Sequence, residues 1–263
     1  MTDTPHLIYP SQAAKVRFTI RSTETDPADK LAPAVLFSML QEASSYSAAS
    51  LGLPAEVMDS RNLCWMLSKI SVEMEAWPNS GETIEVVTWP RGISSLFYQR
   101  DYLIFSEEGA QLGSGTSDWF LADVDTRRPQ RPSLFADMNN AFSSVTQRAT
   151  DGDALKIREK VKAESSSSLR YRTRWSDLDR NGHVNNTHYV TWGYNALRES
   201  GIVNNPPAAI HMNYLRELTD IQFVDVFWEQ ASAPEGIDTD NKTFLIEGRT
   251  DEGLCYRCIM SFS

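Results

Sequence analysis

One succession of patterns occurs twice along this chain, and that repetition constrains the fold more than any single residue does. In the first half, after a loose arm over residues 1–15, residues 16–22 alternate apolar and polar like a strand, and Asp26-Pro27 ends the run. A helical pattern opens at Pro33, a good first-turn residue, and closes at Gly52, which suits the position just past a helix end. Leu36, Met39, Leu40 and Ala43 recur at helical spacing within it. Strand patterns follow at 63–75, 82–89, 97–106 and 114–124, with Pro90-Arg91-Gly92 expected as a break. The second half repeats this order. A strand at 169–175 leads to a helix at about 186–200, closed by Gly201, and then to strands at 209–215, 221–232, 242–249 and 254–262. Residues 84–89 answer 223–228, and residues 102–109 answer 244–251. The common order reads as an internal duplication. Each copy is expected to lay one buried helix against a curled antiparallel sheet, an α+β arrangement. The boundaries expected are 1–138 for the first copy, 139–167 for a charged, serine-containing linker and 168–263 for the second copy.

The copies differ where chemistry could reside. Between strand and helix, the first has only Asp26-Pro-Ala-Asp29-Lys, whereas the second has Trp175-Ser-Asp-Leu-Asp-Arg-Asn-Gly-His-Val-Asn-Asn186. If that backbone is extended, Asp179, Asn181 and His183 share one face. Asn181-Gly182 is also a turn signal. Asn185 and Asn186 stand where a helix N-cap belongs, and a helix start offers free N–H groups to an oxyanion. The other histidines, His6, His188 and His211, read as ordinary polar residues.

Charge and composition narrow the partners. The formal net charge is −10 with a pI near 4.9, which argues against nucleic acid. No apolar run approaches the roughly 20 residues that span a bilayer. Residues 1–17 lack a basic segment followed by an apolar one, so a cytoplasmic protein is expected. The three cysteines make no disulfide framework, and Cys255-Tyr-Arg-Cys258 is a lone pair on a strand, expected to face opposite sides. Neither a metal nor another cofactor is expected.

The segment around His183 resembles the signature of the acyl-ACP thioesterases, the plant plastid enzymes and their bacterial relatives. Phe18-Thr-Ile-Arg-Ser22, Leu40-Gln-Glu-Ala43, Arg61-Asn-Leu-Cys-Trp65, Thr126-Arg-Arg128 and Tyr214-Leu-Arg-Glu217 resemble further pieces of that family in the same order. The resemblance implies two tandem hotdog folds, each a helix wrapped by an antiparallel sheet, and hydrolysis of fatty acyl-[acyl carrier protein]. It implies catalytic roles for Asp179, Asn181, His183 and Glu217. Asp179 acts in that scheme as nucleophile or as general base. Plant members usually carry a cysteine after the glutamate; here it is Leu218, so a cysteine-based scheme cannot operate at that position. The acyl chain would lie along Trp65, Met66 and Leu67, with Asn185 and Asn186 at its reactive end. An acidic carrier protein would meet Arg127, Arg128, Arg131, Arg170, Arg172, Arg174 and Arg180. An acyl-CoA thioesterase and a catalytically silent acyl- or carrier-binding protein are the alternatives. Both a monomer and a homodimer are compatible with two hotdogs in one chain.

Overall fold

The structure, a computed structural model, describes residues 9–135, 145, 147–162, 167–179, 181–219, 221–232 and 242–263. Its elements are β1 (Ala14–Thr19), α1 (Pro33–Ser50), α2 (Ala55–Ser60), β2 (Leu63–Met74), β3 (Thr83–Ser94), β4 (Phe97–Ser106), β5 (Gln111–Asp123), β6 (Ser167–Arg172), α3 (Asn186–Glu199), β7 (Ala209–Tyr214), β8 (Phe223–Ala231), β9 (Lys242–Thr250) and β10 (Gly253–Phe262). The strands form one antiparallel sheet in the order β1-β3-β4-β5-β2-β7-β10-β9-β8-β6. The second five strands mirror the first five. The two innermost, β2 and β7, pair from Lys69↔Asn213 to Glu73↔Ala209. The sequence correspondences hold in space, because 84–89 and 223–228 lie in β3 and β8, and 102–109 and 244–251 begin in β4 and β9. Gly52 and Gly201 both take positive φ, +83° and +69°, a conformation that costs glycine little.

Both long helices cover one face of the sheet. Pro33 opens α1, which buries Leu36, Phe37, Met39, Leu40 and Ala43 and also Ser44 and Ser47, more than a single stripe. One apolar cluster joins α1, α3 and strands of both halves. Continuous burial across the β2–β7 seam makes the halves one packing unit. Among the described residues, no helix is long and apolar enough to cross a membrane.

The break expected at Pro90–Gly92 does not occur. β3 runs through it, with a register shift against β4 between Pro90 and Gly92. The other neighbour, β1, pairs only as far as Thr88. Beyond that point β3 is an edge, where proline removes no ladder bond and a bulge is tolerated.

The segment expected as a linker is packed where it is described. Residues 153–162 cross the face of the sheet opposite the helices. Ile157 and Val161 are buried against Leu245 and Ile259. Asn213 accepts from Ile157 N (2.9 Å) and donates to Leu155 O (2.7 Å), while Leu155 N donates to Ser71 Oγ (2.9 Å). Glu247, 1% exposed, accepts from Arg249 and Arg257, and those arginines reach Val161 O and Ile157 O. Charged residues marked this stretch as a tether, yet its spaced Ile157 and Val161 bury and its backbone satisfies polar groups on the sheet. Replacing Asn213 by alanine strips two backbone groups of their partner, so urea unfolding should show a loss of about 2 kcal/mol.

Candidate active site

The loop before α3 is closed on itself. Leu178 and Val184 form an antiparallel bridge, and Asp179 N donates to His183 O (2.7 Å). Asp179 Oδ1 accepts from Asn181 N (2.7 Å) and His183 N (3.2 Å). Gly182, at φ +75°, donates to Asp179 O (3.0 Å). The side chains of Asp179, Asn181 and His183 therefore do not share the face of a strand. A carboxylate-capped turn collects them instead, and all three line one cavity.

Asn185 is the N-cap of α3. Its Oδ1 accepts from Thr187 N (3.0 Å) and Thr187 Oγ1 (2.9 Å). That N–H, expected to be free for an oxyanion, is satisfied within the helix start, and Asn185 is not among the described residues lining the cavity. Asn186 does line it. Its amide is paired with that of Gln41 on α1, which donates to Asn186 Oδ1 (2.6 Å) and accepts from Asn186 Nδ2 (3.2 Å). This pair ties the helices together beside the site.

The cavity is about 690 Å³. Asp179, Asn181, His183 and Glu217 line it, as do the apolar Leu53, Met58, Leu63 and Phe120. Trp65, Met66 and Leu67 also line it. A smaller chamber of about 60 Å³ lies beyond, and Ser45, Ala48, Trp65 and Trp119 border both. Trp65 stands edge-on to Tyr98, with ring centroids 4.9 Å apart.

Glu217 Oε2 lies 3.8 Å from His183 Nε2. The residue after it, Leu218, is 1% exposed within the core, and its carbonyl accepts from Val184 N (2.7 Å). A leucine is at home there, and the position presents no thiol. Tyr189 of α3 also borders the cavity and stands edge-on to Tyr214 and Tyr256 (5.8 and 5.2 Å). Burial pushes its phenol far above the ordinary range, with Cys255, Glu217 and Asp179 adding to the effect.

Arg127 departs most from expectation. Read as part of a carrier-facing patch, it points into the cavity from the turn after β5. Asp123 shapes that turn: its Oδ1 accepts from Thr126 N (2.8 Å) and Thr126 Oγ1 (2.7 Å), and its carbonyl accepts from Arg127 N (2.9 Å). Arg127 is left at φ +57°. Its Nη2 lies 3.0 Å from His183 Nδ1 and 2.7 Å from Nε2, and its Nε 3.9 Å from Glu217 Oε2. Its Nη1 reaches Cys64 Sγ (3.4 Å), whose pKa burial raises although the guanidinium works against it. Asp123-x-x-Thr126 was the signal for a capped turn; where the turn would aim was not local information.

The other arginines divide. Arg128, Arg131, Arg172 and Arg174 are exposed. Arg170 is clamped by Asp225 (2.6 and 2.7 Å) over the Phe223 ring. Arg170 and Arg172 do share the outer face of β6, while Tyr171 stacks on Trp192. Arg180 lies outside the described residues, as does His6. His188 stands 4.0 Å from Asp177, and buried His211 is bonded through Nδ1 to Ser71 Oγ (2.9 Å), its pKa pushed by burial down to about 4. Cys255 and Cys258 do not face opposite sides. A register shift between Leu254 and Tyr256 turns Cys255 into the core that holds Cys258. Among the described residues, no three His, Cys, Asp or Glu side chains cluster to hold a metal.

Comparison with known proteins places the chain in a family. Residues 11–133 match the model of the acyl-ACP thioesterase N-terminal domain, and residues 160–253 that of the C-terminal domain. The chloroplastic dodecanoyl-[acyl-carrier-protein] hydrolase of Umbellularia californica is 28% identical over 213 residues, 77% of this chain and 55% of that protein. The chloroplastic oleoyl-acyl carrier protein thioesterase 1 of Arabidopsis thaliana is 25% identical over 234 residues, covering 80% and 62%. The chain thus spans between half and two thirds of these curated relatives. The solved 12:0-ACP thioesterase from Umbellularia californica superposes with a TM-score of 0.82 at 23% identity, covering 95% of this chain and 93% of that one. An acyl-ACP thioesterase from Bacteroides thetaiotaomicron gives 0.79 at 19%, covering 96% and 98%. These two share the fold. With both halves matched in order and the loop of Asp179 and His183 inside the second match, the chain belongs to the acyl-ACP thioesterase family.

Proposed function

We propose that the protein hydrolyses the thioester of fatty acyl-[acyl carrier protein], releasing the free fatty acid, on two tandem hotdog folds. The observation that carries this reading is a carboxylate, amide and imidazole gathered in the wall of a cavity of about 690 Å³ that apolar side chains also line. The acyl chain would lie against Trp65, Met66 and Leu67, with its carbonyl at Asp179. Asp179 Oδ1 is held by two backbone N–H groups, which leaves Oδ2 to act on the carbonyl or on water. As general base it takes a proton from water; the hydroxide adds to the carbonyl carbon, the C–S bond breaks and the thiolate leaves with that proton. As nucleophile it adds to the carbonyl carbon, the C–S bond breaks and the thiolate leaves, giving an acyl anhydride; water opens this to the fatty acid and free Asp179, and the proton released goes to the thiolate. Both routes use His183 and Glu217 to handle the proton and the water, and Asn181 to orient the reacting group.

The acidic carrier would be met by the exposed Arg128, Arg131, Arg172 and Arg174. Arg170, already neutralised by Asp225, contributes less net charge than its place in the sequence suggested. Matched hydrolysis of one acyl chain on acyl carrier protein and on coenzyme A tests the reading. A clear preference for coenzyme A sinks the carrier assignment, and carrier binding with no turnover on either substrate makes the protein a silent binder.

Trp65 sets a second test. It borders both the main cavity and the chamber beyond. Trp65→Ala should favour longer acyl chains by about tenfold or more in kcat/KM relative to shorter ones, since each methylene in an apolar pocket is worth about 1–3 kcal/mol. A panel of acyl carriers of increasing length reads this out, and an unchanged profile would remove Trp65 from the chain-binding wall.

A further inference from the structure

We infer that Arg127 is a positioning residue of the hydrolytic site, supplied by the half of the molecule that lacks the motif. Its guanidinium stands against the His183 ring and beside Glu217, fixing the two relative to each other. This rests on the thioesterase reading for its consequence in turnover, but not for its geometry.

A guanidinium has only donors and stays charged in proteins. Nη2 lies 3.0 and 2.7 Å from the two nitrogens of one imidazole, so it faces both at once rather than lying along one in-plane lone pair. The contact fixes where the ring stands against the guanidinium. Its Nε, 3.9 Å from Glu217 Oε2, puts the same cation beside the carboxylate. The charged and titratable groups around the ring come from several elements. Arg127 reaches it from the turn after β5, Glu217 from beyond β7, and Asp179 from the same loop through its bond to His183 N. Cys64 of β2 touches the far side of the guanidinium, and Tyr189 of α3 lies near both carboxylates. Arg127 is the cation in contact with the ring, and Arg216 lines the same cavity.

The turn looks built to aim this side chain. Asp123 binds Thr126 through both backbone and hydroxyl, and Asn62 Nδ2 donates to Asp123 Oδ2 (3.2 Å). The left-handed φ of Arg127, unfavourable for a residue with a Cβ, is retained at this point and directs the side chain inward. With its side chain still 31% exposed, the arginine is accessible to exchange with small solutes.

Three variants test the inference. Arg127→Met should lower kcat by about tenfold to a hundredfold, with KM changed far less. Arg127→Lys, lacking the fork, should recover only part of the loss. Arg127→Gly, unstrained at that φ, should regain activity when guanidinium chloride is added at low, non-denaturing concentration. The independent measurement is the set of NOE contacts between the His183 ring and the Glu217 side chain in substrate-free protein, which Arg127→Met should weaken. Contacts unchanged in that variant overturn the inference. So does a loss of activity that tracks a lower melting temperature, with no rescue by guanidinium. Absence of turnover in the unaltered protein would sink the thioesterase reading, while the ring contacts would still decide the role of Arg127.

Discussion

Asp179→Asn should lower kcat by about a thousandfold or more and leave the melting temperature within a degree or two of its original value. The two halves of this expectation have separate structural causes. The turn needs an acceptor for Asn181 N and His183 N, and an asparagine oxygen can take the place of Oδ1 in both bonds. The proposed hydrolysis uses the negative charge and basicity of the second oxygen, which an amide lacks. Circular dichroism, thermal melting and acyl-carrier hydrolysis on one preparation separate the two. An active asparagine variant would remove Asp179 from the reaction and leave Glu217 as the remaining carboxylate near His183. Asp179→Ala is expected to lose activity too, but also to unfasten the turn, so it cannot make this distinction.

The second large effect lies away from the reacting groups. Gly248 of β9 pairs with Tyr256 of β10, and a Cβ built on it would fall inside the Tyr256 ring. That ring cannot swing aside. Tyr256 is fully buried and stands edge-on to Tyr189, itself a wall of the cavity. Gly248→Ala should therefore cost about 2–4 kcal/mol and lower the melting temperature by roughly 5–10 °C. Because the displaced ring bears on Tyr189, kcat/KM should fall even below the melting transition. Gly248→Ala with unchanged stability would mean that the β9–β10 pairing shifts readily, against the register from Gly253↔Thr250 to Phe262↔Lys242.

Much of the fold was legible because its signals are local. The helix at Pro33–Ser50 carried a proline at its start and a glycine beyond its end, and the strand at Phe97–Ser106 alternated cleanly. Pro90 misled because its tolerance depends on where the neighbouring strand stops, which no local pattern states. The segment at 153–162 misled for a related reason. Its charges outnumbered its apolar residues, yet burying Ile157 and Val161 and satisfying Asn213, Ser71, Arg249 and Arg257 against its backbone requires a surface made by four other strands.

The site divides the same way. Asp179, Asn181 and His183 were found together because a turn joins them within five residues. Arg127 was assigned outward, since a basic turn beside exposed arginines has no local reason to point inward. It meets His183 across 56 residues of chain, and Gln41 meets Asn186 across 145. The sequence by itself determined the repeat, the order of the strands along the chain and the half that carries the carboxylate–imidazole motif. These are set by side-chain periodicity and by turn chemistry, which act over a few residues. Only the tertiary structure decided that the first half would contribute a cation as well as an apolar wall. That follows from joining β2 to β7, a register chosen by burial summed over both halves, which brings the end of β5 to the loop before α3.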